Sequence, residues 1–312
     1  MAQETISIPS GFVRIEGRAS LLIVRKEWAG RVQEALGPLD QAWVRIGQRR
    51  FTARGRSGIA SFPMGDDSPP MMVRSYVHGG ILAGITRDLY WGFHRALDEL
   101  TVAELAREEE VRTTPPIGIL CRQVIGPFWR LAYLSEEVSD SEDLIHYCCR
   151  VADYPPETAA MEKRGVIREA AAQIRRMHDI GIFHADLHLK NLLLQRQPAG
   201  APKVYIIDFD RAVEHPDLTL GQRLKNLKRL ARSVRKVHVA HETLTAWDRL
   251  RFLRDYLKGL PGARDLFRIW ARKLASSGAG RELWWAATGA KRNLRGDRVA
   301  KRSVQTSMRL GR

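Results

Sequence analysis

The sequence predicts an α+β fold divided into two lobes, the first small and β-rich, the second larger and helical. Three observations carry this. Up to residue 137 the apolar residues come in short runs separated by glycine and proline, which is the chemistry of strands and turns. Beyond it they recur every three or four positions over long stretches, as in helices that bury one face. Among those helical stretches lie two short apolar runs, Leu192-Leu193-Leu194 and Val204-Tyr205-Ile206-Ile207, which adjoin a polar loop and a charged turn. With 312 residues, 44% of them hydrophobic, the chain can bury a core in two lobes.

In the first lobe, Phe12-Val13-Arg14-Ile15 and Leu21-Leu22-Ile23-Val24 read as short strands with Gly17 in the turn. Trp28 to Leu36 has helical periodicity and stops at Gly37-Pro38. Phe51 to Phe62 forms two alternating runs about a Gly55-Arg56-Ser57-Gly58 tip, a hairpin, and Pro69-Pro70 introduces the strand Met71 to Tyr76. A helix is expected from His94 to Glu109, with Leu97, Leu100, Val102, Ala103 and Leu105 as its apolar set, ended by Thr113-Thr114-Pro115-Pro116. Ile117 to Cys121 and Trp129 to Ser135 read as a strand pair around Gly126-Pro127, and the polar run Ser135 to Ser141 as the hinge between lobes.

The second lobe opens at Ser141-Glu142-Asp143, which begins a helix by capping logic. A long helix follows from Glu157 to Ile180, with Val166, Ile167, Ala170, Ile174 and Met177 on one face and Gly181 at its C′ position. Gln195 to Pro202 is a polar turn. In Gln222 to Lys236, Leu224, Leu227, Ala231 and Val234 make one apolar stripe and seven cations occupy the other faces, the pattern of a solvated helix docked on the lobe. Trp247 to Leu257 and Ala263 to Leu274 are further helices, with a break at Gly259-Leu260-Pro261-Gly262. The organisation expected is a first lobe over residues 1–137, a second over 138–290 and a basic tail over 291–312.

The polar loop carries the chemistry. It runs Phe183-His184-Ala185-Asp186-Leu187-His188-Leu189-Lys190-Asn191, and the second apolar run ends in Asp208-Phe209-Asp210. An Asp with an Asn five positions on, then an Asp closing a buried strand, is the spacing of a base and two magnesium ligands in phosphoryl transfer. That reaction asks the protein to orient a hydroxyl, hold the metal on the phosphates and neutralise developing charge. Asp186 accepts the hydroxyl proton, Asn191 offers an amide oxygen to the metal, and Asp208 supplies its carboxylate. With this chemistry in view, Gly55, Ser57 and Gly58 of the hairpin would lay backbone N–H groups over the nucleotide phosphates. Arg74, on the strand after Pro70, would bridge phosphates and a carboxylate bidentately. Its partner would be a helix carboxylate, Glu99 in preference to Glu104. The backbone of the hinge, at Glu137 and Val138, would meet adenine.

Lys and Arg number 51 against 35 acidic residues, a formal charge of +16, which implies an anionic partner without choosing among phospholipid, phosphorylated substrate and nucleic acid. Cys121, Cys148 and Cys149 show no metal spacing and suit a reduced, cytoplasmic setting. No apolar run approaches the ~20 residues of a membrane span, and Met1 to Ser10 lacks the order of a signal peptide.

Together these stretches resemble one family, the lipopolysaccharide kinases, and within it the bacterial kinases of Kdo, 3-deoxy-D-manno-octulosonic acid. The resemblance covers about residues 50–236 and rests on Val73-Arg74-Ser75-Tyr76 with Gly79-Gly80, His184-Ala185-Asp186-Leu187 with Asn191, Ile207-Asp208-Phe209-Asp210-Arg211, and Gln222 with Asn226-Leu227 through Arg232-Ser233. It implies a protein-kinase-like bilobal fold and transfer of the ATP γ-phosphoryl to the 4-hydroxyl of Kdo on a lipid A precursor. Asp186 would be the base, Asn191 and Asp208 the Mg2+ ligands, Arg74 the phosphate-contacting cation and Glu99 its partner. His188 or Lys190 would do the charge work near the γ-phosphate. The setting implied is the cytoplasmic face of the inner membrane, held peripherally by its anionic surface, with no nucleic acid and no obligate protein partner. Rival expectations are a heptose kinase of the same family, an aminoglycoside- or choline-type phosphotransferase, and a non-catalytic kinase-fold binder of anionic membrane or nucleic acid. Cationic small substrates call for an acidic cleft, which a chain of charge +16 does not suggest. The intact trio of Asp186, Asn191 and Asp208 argues against the non-catalytic reading.

Overall fold

The short apolar runs of the first half assemble into one antiparallel sheet. The computed structural model describes residues 7–53, 56–77, 88–197 and 200–276. In chain order the first half contains β1 (Phe12–Glu16), β2 (Ser20–Arg25), α1 (Ala29–Leu36), α2 (Leu39–Gln48), β3 (Arg50–Ala53), β4 (Arg56–Phe62), β5 (Met71–Ser75), β6 (Tyr90–Trp91), α3 (His94–Glu108), β7 (Pro116–Ile125) and β8 (Phe128–Glu136). The strands lie in the order β1-β2-β7-β8-β5-β4-β3, with β6 on β8. Strand β2 is apolar without alternation because both of its faces are covered. Leu22 and Val24 point into a core with Val32, Leu36, Ala42 and Ile46 of α1 and α2. Leu21 and Ile23 point the other way, into a core with Ala96, Leu97, Leu100 and Ala103 of α3 that continues into the second lobe.

Helix α2 is not among the sequence expectations. Gly37-Pro38 reads as a stop, yet Pro38 is also the N-cap of α2, and proline's fixed φ suits a helix start as well as an end. The hairpin tip is also shorter than expected. Ala53 pairs with Arg56, which puts Arg56, Ser57 and Gly58 in β4, while Gly55 lies outside the described residues.

The second half contains β9 (Ser141–Asp143), α4 (Leu144–Ala152), α5 (Pro156–Asp179), β10 (Ile182–Phe183), β11 (Leu192–Gln195), β12 (Lys203–Ile206), β13 (Val213–Glu214), α6 (Leu220–Lys236), α7 (His238–Thr243), α8 (Ala246–Leu257) and α9 (Ala263–Ser276). The expected helix start at Ser141 is corrected. Ser141–Asp143 is a strand paired with β11, and the helix begins at Leu144, where the Asp143 carboxylate accepts from Ile145 N at 2.9 Å and His146 N at 3.0 Å. The cap falls on Asp143, the last of those three residues, because a long-range ladder takes all three into a strand.

The α6 stripe also differs, since Leu230 is buried with Leu224, Leu227 and Val234 while Ala231 is only half-buried. Thr219 and Gln222 close a capping box at its start. No helix among the described residues is long and apolar enough to cross a membrane, and the basic tail at 291–312 lies outside them.

Candidate active site

Strand β5 turns Met71, Val73 and Ser75 into the fold and leaves Met72 and Arg74 on the opposite side. Arg74 Nη2 donates to Glu99 Oε1 at 2.6 Å and Oε2 at 2.8 Å, and stands 3.4 Å from Asp208 Oδ1. The Tyr76 hydroxyl also donates to Glu99, and the Arg74 guanidinium lies 4.8 Å from the Tyr76 ring and 5.8 Å from that of Tyr133. Glu104, the alternative partner, is engaged with Arg25 and Arg107. Burial opposes charge on Arg74, yet Glu99 and Asp208 hold its pKa well above the ordinary value. Burial pushes the Glu99 carboxyl up to about 7 against the attraction of Arg74, and Asp208's charge adds to the rise. The guanidinium therefore stays charged beside a carboxyl whose burial works against its own ionisation.

The loop that carries Asp186 is reached through Gly181, whose φ is +85° and where a Cβ would lie 2.0 Å from His215 O. Only glycine permits that crossing. The loop is then pinned from α6 by a fully buried amide. Asn226 Nδ2 donates to His184 O at 2.8 Å, and its Oδ1 accepts from His184 N at 3.1 Å and His178 Nε2 at 3.0 Å. Further on, Leu189 N donates to Ser233 Oγ at 3.2 Å. His184 is buried, and desolvation lowers its pKa. Its Nε2–H donates to Ile207 O at 3.1 Å and its Nδ1 accepts from Asp186 N at 3.1 Å. One neutral imidazole thus joins the loop of Asp186 to the strand end that carries Asp208.

Asp186 itself is 63% exposed, its Oδ2 3.2 Å from His188 Nε2 and its Oδ1 3.8 Å from Arg229 Nη1. Asn191 Nδ2 donates to Asp186 O at 3.0 Å, and Ile207 N donates to Asn191 O at 3.0 Å. That last bond sets Asn191 beside the residue that precedes Asp208. Lys190 lies on the exposed side of the turn Leu189–Asn191.

Asp208 adopts φ +67°, a left-handed conformation that a non-glycine residue takes only where its surroundings hold it. The next carboxylate, Asp210, is held firmly. Arg95, in the first turn of α3, donates through Nε to Asp210 Oδ1 at 2.7 Å and through Nη2 to Oδ2. Arg95 also lies 4.9 Å from the Tyr90 ring and 5.6 Å from that of Tyr76. Helix α3 therefore joins the site twice, through Glu99 to Arg74 and through Arg95 to the Asp208 turn.

Arg74, Glu99 and Asp208 converge on a cleft of about 370 Å³. Ile59 and Met72 from the sheet and Leu193 and Ile207 from the second lobe line it, with Glu137 and Val138 where the lobes join. The Glu137 N–H is already given to Pro70 O at 2.9 Å, so of the two hinge residues Val138 is the better placed to donate. Asn191 and Asp208 form an amide-oxygen and carboxylate donor set of the kind a hard cation takes. No cluster of three or more His, Cys, Asp or Glu suited to a metal occurs among the described residues. An ion held by this pair would draw its other ligands from phosphate and water. Sequence reasoning assigned no role to His184, Arg95 or Asn226. His184 stands in the motif itself, whereas the Arg95–Asp210 and Asn226–His184 contacts span 115 and 42 residues and leave no local signal.

Comparison with known proteins follows the same lines. The model of the lipopolysaccharide kinase (Kdo/WaaP) family matches residues 42–256. A 3-deoxy-D-manno-octulosonic acid kinase of Vibrio vulnificus (strain YJ016) is 29% identical over 192 residues, spanning 60% of this chain and 73% of the relative. One of Xanthomonas axonopodis pv. citri is 32% identical over 197 residues, spanning 61% and 70%. Among solved structures, WaaP in complex with acyl carrier protein aligns with a TM-score of 0.52 at 20% identity, over 77% of this chain and 88% of that one, a likeness of fold.

Proposed function

Because the chain belongs to the lipopolysaccharide kinase (Kdo/WaaP) family, we propose that it transfers the γ-phosphoryl of ATP, with Mg2+, to the 4-hydroxyl of a Kdo residue on a lipid A precursor. It is a phosphotransferase acting on a sugar hydroxyl, a kinase of the lipopolysaccharide core. The Kdo acceptor is suggested by the 3-deoxy-D-manno-octulosonic acid kinases the chain resembles, and the observation that supports phosphoryl transfer at this cleft is the backbone bond from Ile207 N to Asn191 O. It joins the loop of Asp186 to the cleft where Arg74, Glu99 and Asp208 meet.

In this reading the chain to residue 137 covers the nucleotide and the chain from 138 onward supplies the loop that faces the acceptor. Ile59 and Met72 above and Leu193 and Ile207 below hold the base between apolar surfaces, with Val138 N–H toward its edge. Arg74, charged and fixed by Glu99, orients the phosphates. Asn191 and Asp208 would hold the magnesium, which neutralises phosphate charge when bound. Asp186, exposed beside the cleft, takes the proton of the attacking hydroxyl as its oxygen bonds the γ-phosphorus and the bond to the β-phosphate oxygen breaks, releasing ADP. His184, neutral and bonded on both ring nitrogens, keeps Asp186 in register with Asp208 but moves no proton. His188 or Lys190, on the same loop, would supply charge near the γ-phosphate. The charge of +16 suits a peripheral place on the cytoplasmic face of the inner membrane, where the acceptor lipid lies.

The test is transfer of label from the γ-phosphate of ATP with magnesium to a Kdo-bearing lipid A precursor, beside Asp186→Asn and beside an aminoglycoside acceptor. Label on the lipid with the wild type alone is expected. Label on the aminoglycoside instead, or turnover of Asp186→Asn within about tenfold of wild type, would overturn the reading.

A further inference from the structure

Helix α6 does more than brace the catalytic loop. Asn226 and Ser233 both bond it, at His184 and Leu189, and residue 229 lies between them, three positions after one and four before the other, on the same helical face. That geometry delivers the Arg229 guanidinium to Asp186, with Nη1 3.8 Å from Oδ1. The separation exceeds a hydrogen bond. Among the described residues Arg229 donates to no other group, so its N–H fork stays open to a ligand. Neither Asp186 nor any residue of α6 lines the nucleotide cleft, so Arg229 meets Asp186 outside that cleft. Lys225, one turn earlier, lies 5.6 Å from the ring of Phe183 at the loop's entry and adds a second cation along that flank.

We infer that Arg229 receives the carboxylate of the acidic sugar whose hydroxyl Asp186 activates, which makes it a specificity-determining residue for an acidic acceptor. The inference rests on the functional reading above and deepens it. A sugar acid brought to Asp186 sets two carboxylates side by side, and a guanidinium between them relieves that repulsion while binding the substrate bidentately. The position also selects the anion. A cation this close to the base addresses a group on the same sugar ring as the reacting hydroxyl, whereas the lipid phosphates lie beyond the glycosidic linkage. A neutral heptose offers nothing for it to bind.

The experiment compares wild type, Arg229→Lys and Arg229→Gln on three acceptors: the Kdo-bearing precursor, the same molecule with its sugar carboxylate as the methyl ester, and the precursor stripped of its lipid phosphates. Arg229→Gln is expected to raise KM for the acid roughly 10- to 100-fold, with lysine recovering part of the loss. KM for ATP should stay within about twofold. On the ester, wild type should fall to the level of Arg229→Gln, which no longer distinguishes acid from ester. Equal use of acid and ester by the wild type would overturn the inference while leaving the functional reading in place. An equal loss by Arg229→Gln on both acceptors would do the same. If stripping the lipid phosphates erases the difference between wild type and variant, the anion bound is phosphate and the assignment is wrong. Absence of any transfer by wild type to the acid would instead remove the functional reading, and the inference with it. Should Arg229→Gln not fold, the acid-to-ester ratio of wild type against Arg229→Lys decides.

Discussion

The double grip of helix α3 makes a quantitative prediction about Arg95 and Asp210. Their side chains are 25% and 21% exposed and share two charge-assisted hydrogen bonds. A fully exposed pair contributes less than about 1 kcal/mol. Hydrogen bonds to charged groups out of bulk water contribute about 1.5–3 kcal/mol, and the pair belongs near that range because three-quarters of each side chain is covered. Arg95→Gln also removes the contacts with Tyr90 and Tyr76, worth about 0.5–1 kcal/mol each, so either single variant mixes terms. A double-mutant cycle with Asp210→Asn cancels them. The expected coupling is about 1.5–3 kcal/mol by denaturant unfolding.

Function should show the same coupling. If the pair holds α3 against the Asp208 turn, each single substitution lowers kcat/KM for ATP by about tenfold or more, and the double variant is no worse than the weaker single. Additivity within about 0.5 kcal/mol in both assays would mean the two residues act independently, and the clasp would have no part in setting the turn.

Arg74→Lys should keep part of the activity, since a point charge can still meet phosphate, while Arg74→Ala should lose at least about 100-fold in kcat/KM; equal activity of the two in steady-state assays would return Arg74 to a bystander cation. Asp208→Ala should abolish the magnesium-dependent part of nucleotide affinity, and calorimetric titration that shows unchanged affinity with magnesium would remove it from the metal site. His178 gives a pH test, because burial lowers its pKa to about 3 from the usual 6.5. Between those values the unfolded chain binds a proton that the native state does not. Stability therefore rises with pH across that window and is lost on acidification. His178→Gln should flatten the acid limb of the unfolding free energy below pH 6.5, and an unchanged slope would show that His178 is not its source.

The parts of the site legible in the sequence are those whose signal is local. Asp186, Asn191 and Asp208 are separated by short fixed spacings, and the apolar runs beside them announce β11 and β12. Arg74 and Glu99 follow from the order of strand and helix, although their contact spans 25 residues. The misses share a physical cause. Strand β9 exists because Ser141–Asp143 finds β11 some fifty residues later, and nothing in three polar residues foretells a ladder. Helix α2 hides behind a Gly-Pro pair whose geometry permits a start as readily as a stop. The stripe of α6 runs through Leu230 rather than Ala231 because a buried Asn226 occupies a position that apolar counting leaves to solvent.

That buried amide has a consequence for how the enzyme fails. The amide protons of His184 and Leu189 are held by side chains of α6 rather than by neighbours in the loop, so neither exchanges with water until the helix lifts away. At these two positions the loop is expected to open with the helix, which is anchored in the core through Leu224, Leu227, Leu230 and Val234. The site geometry and the unfolding of the lobe should then belong to one cooperative unit, with heat inactivation coinciding with the melting of the lobe instead of preceding it.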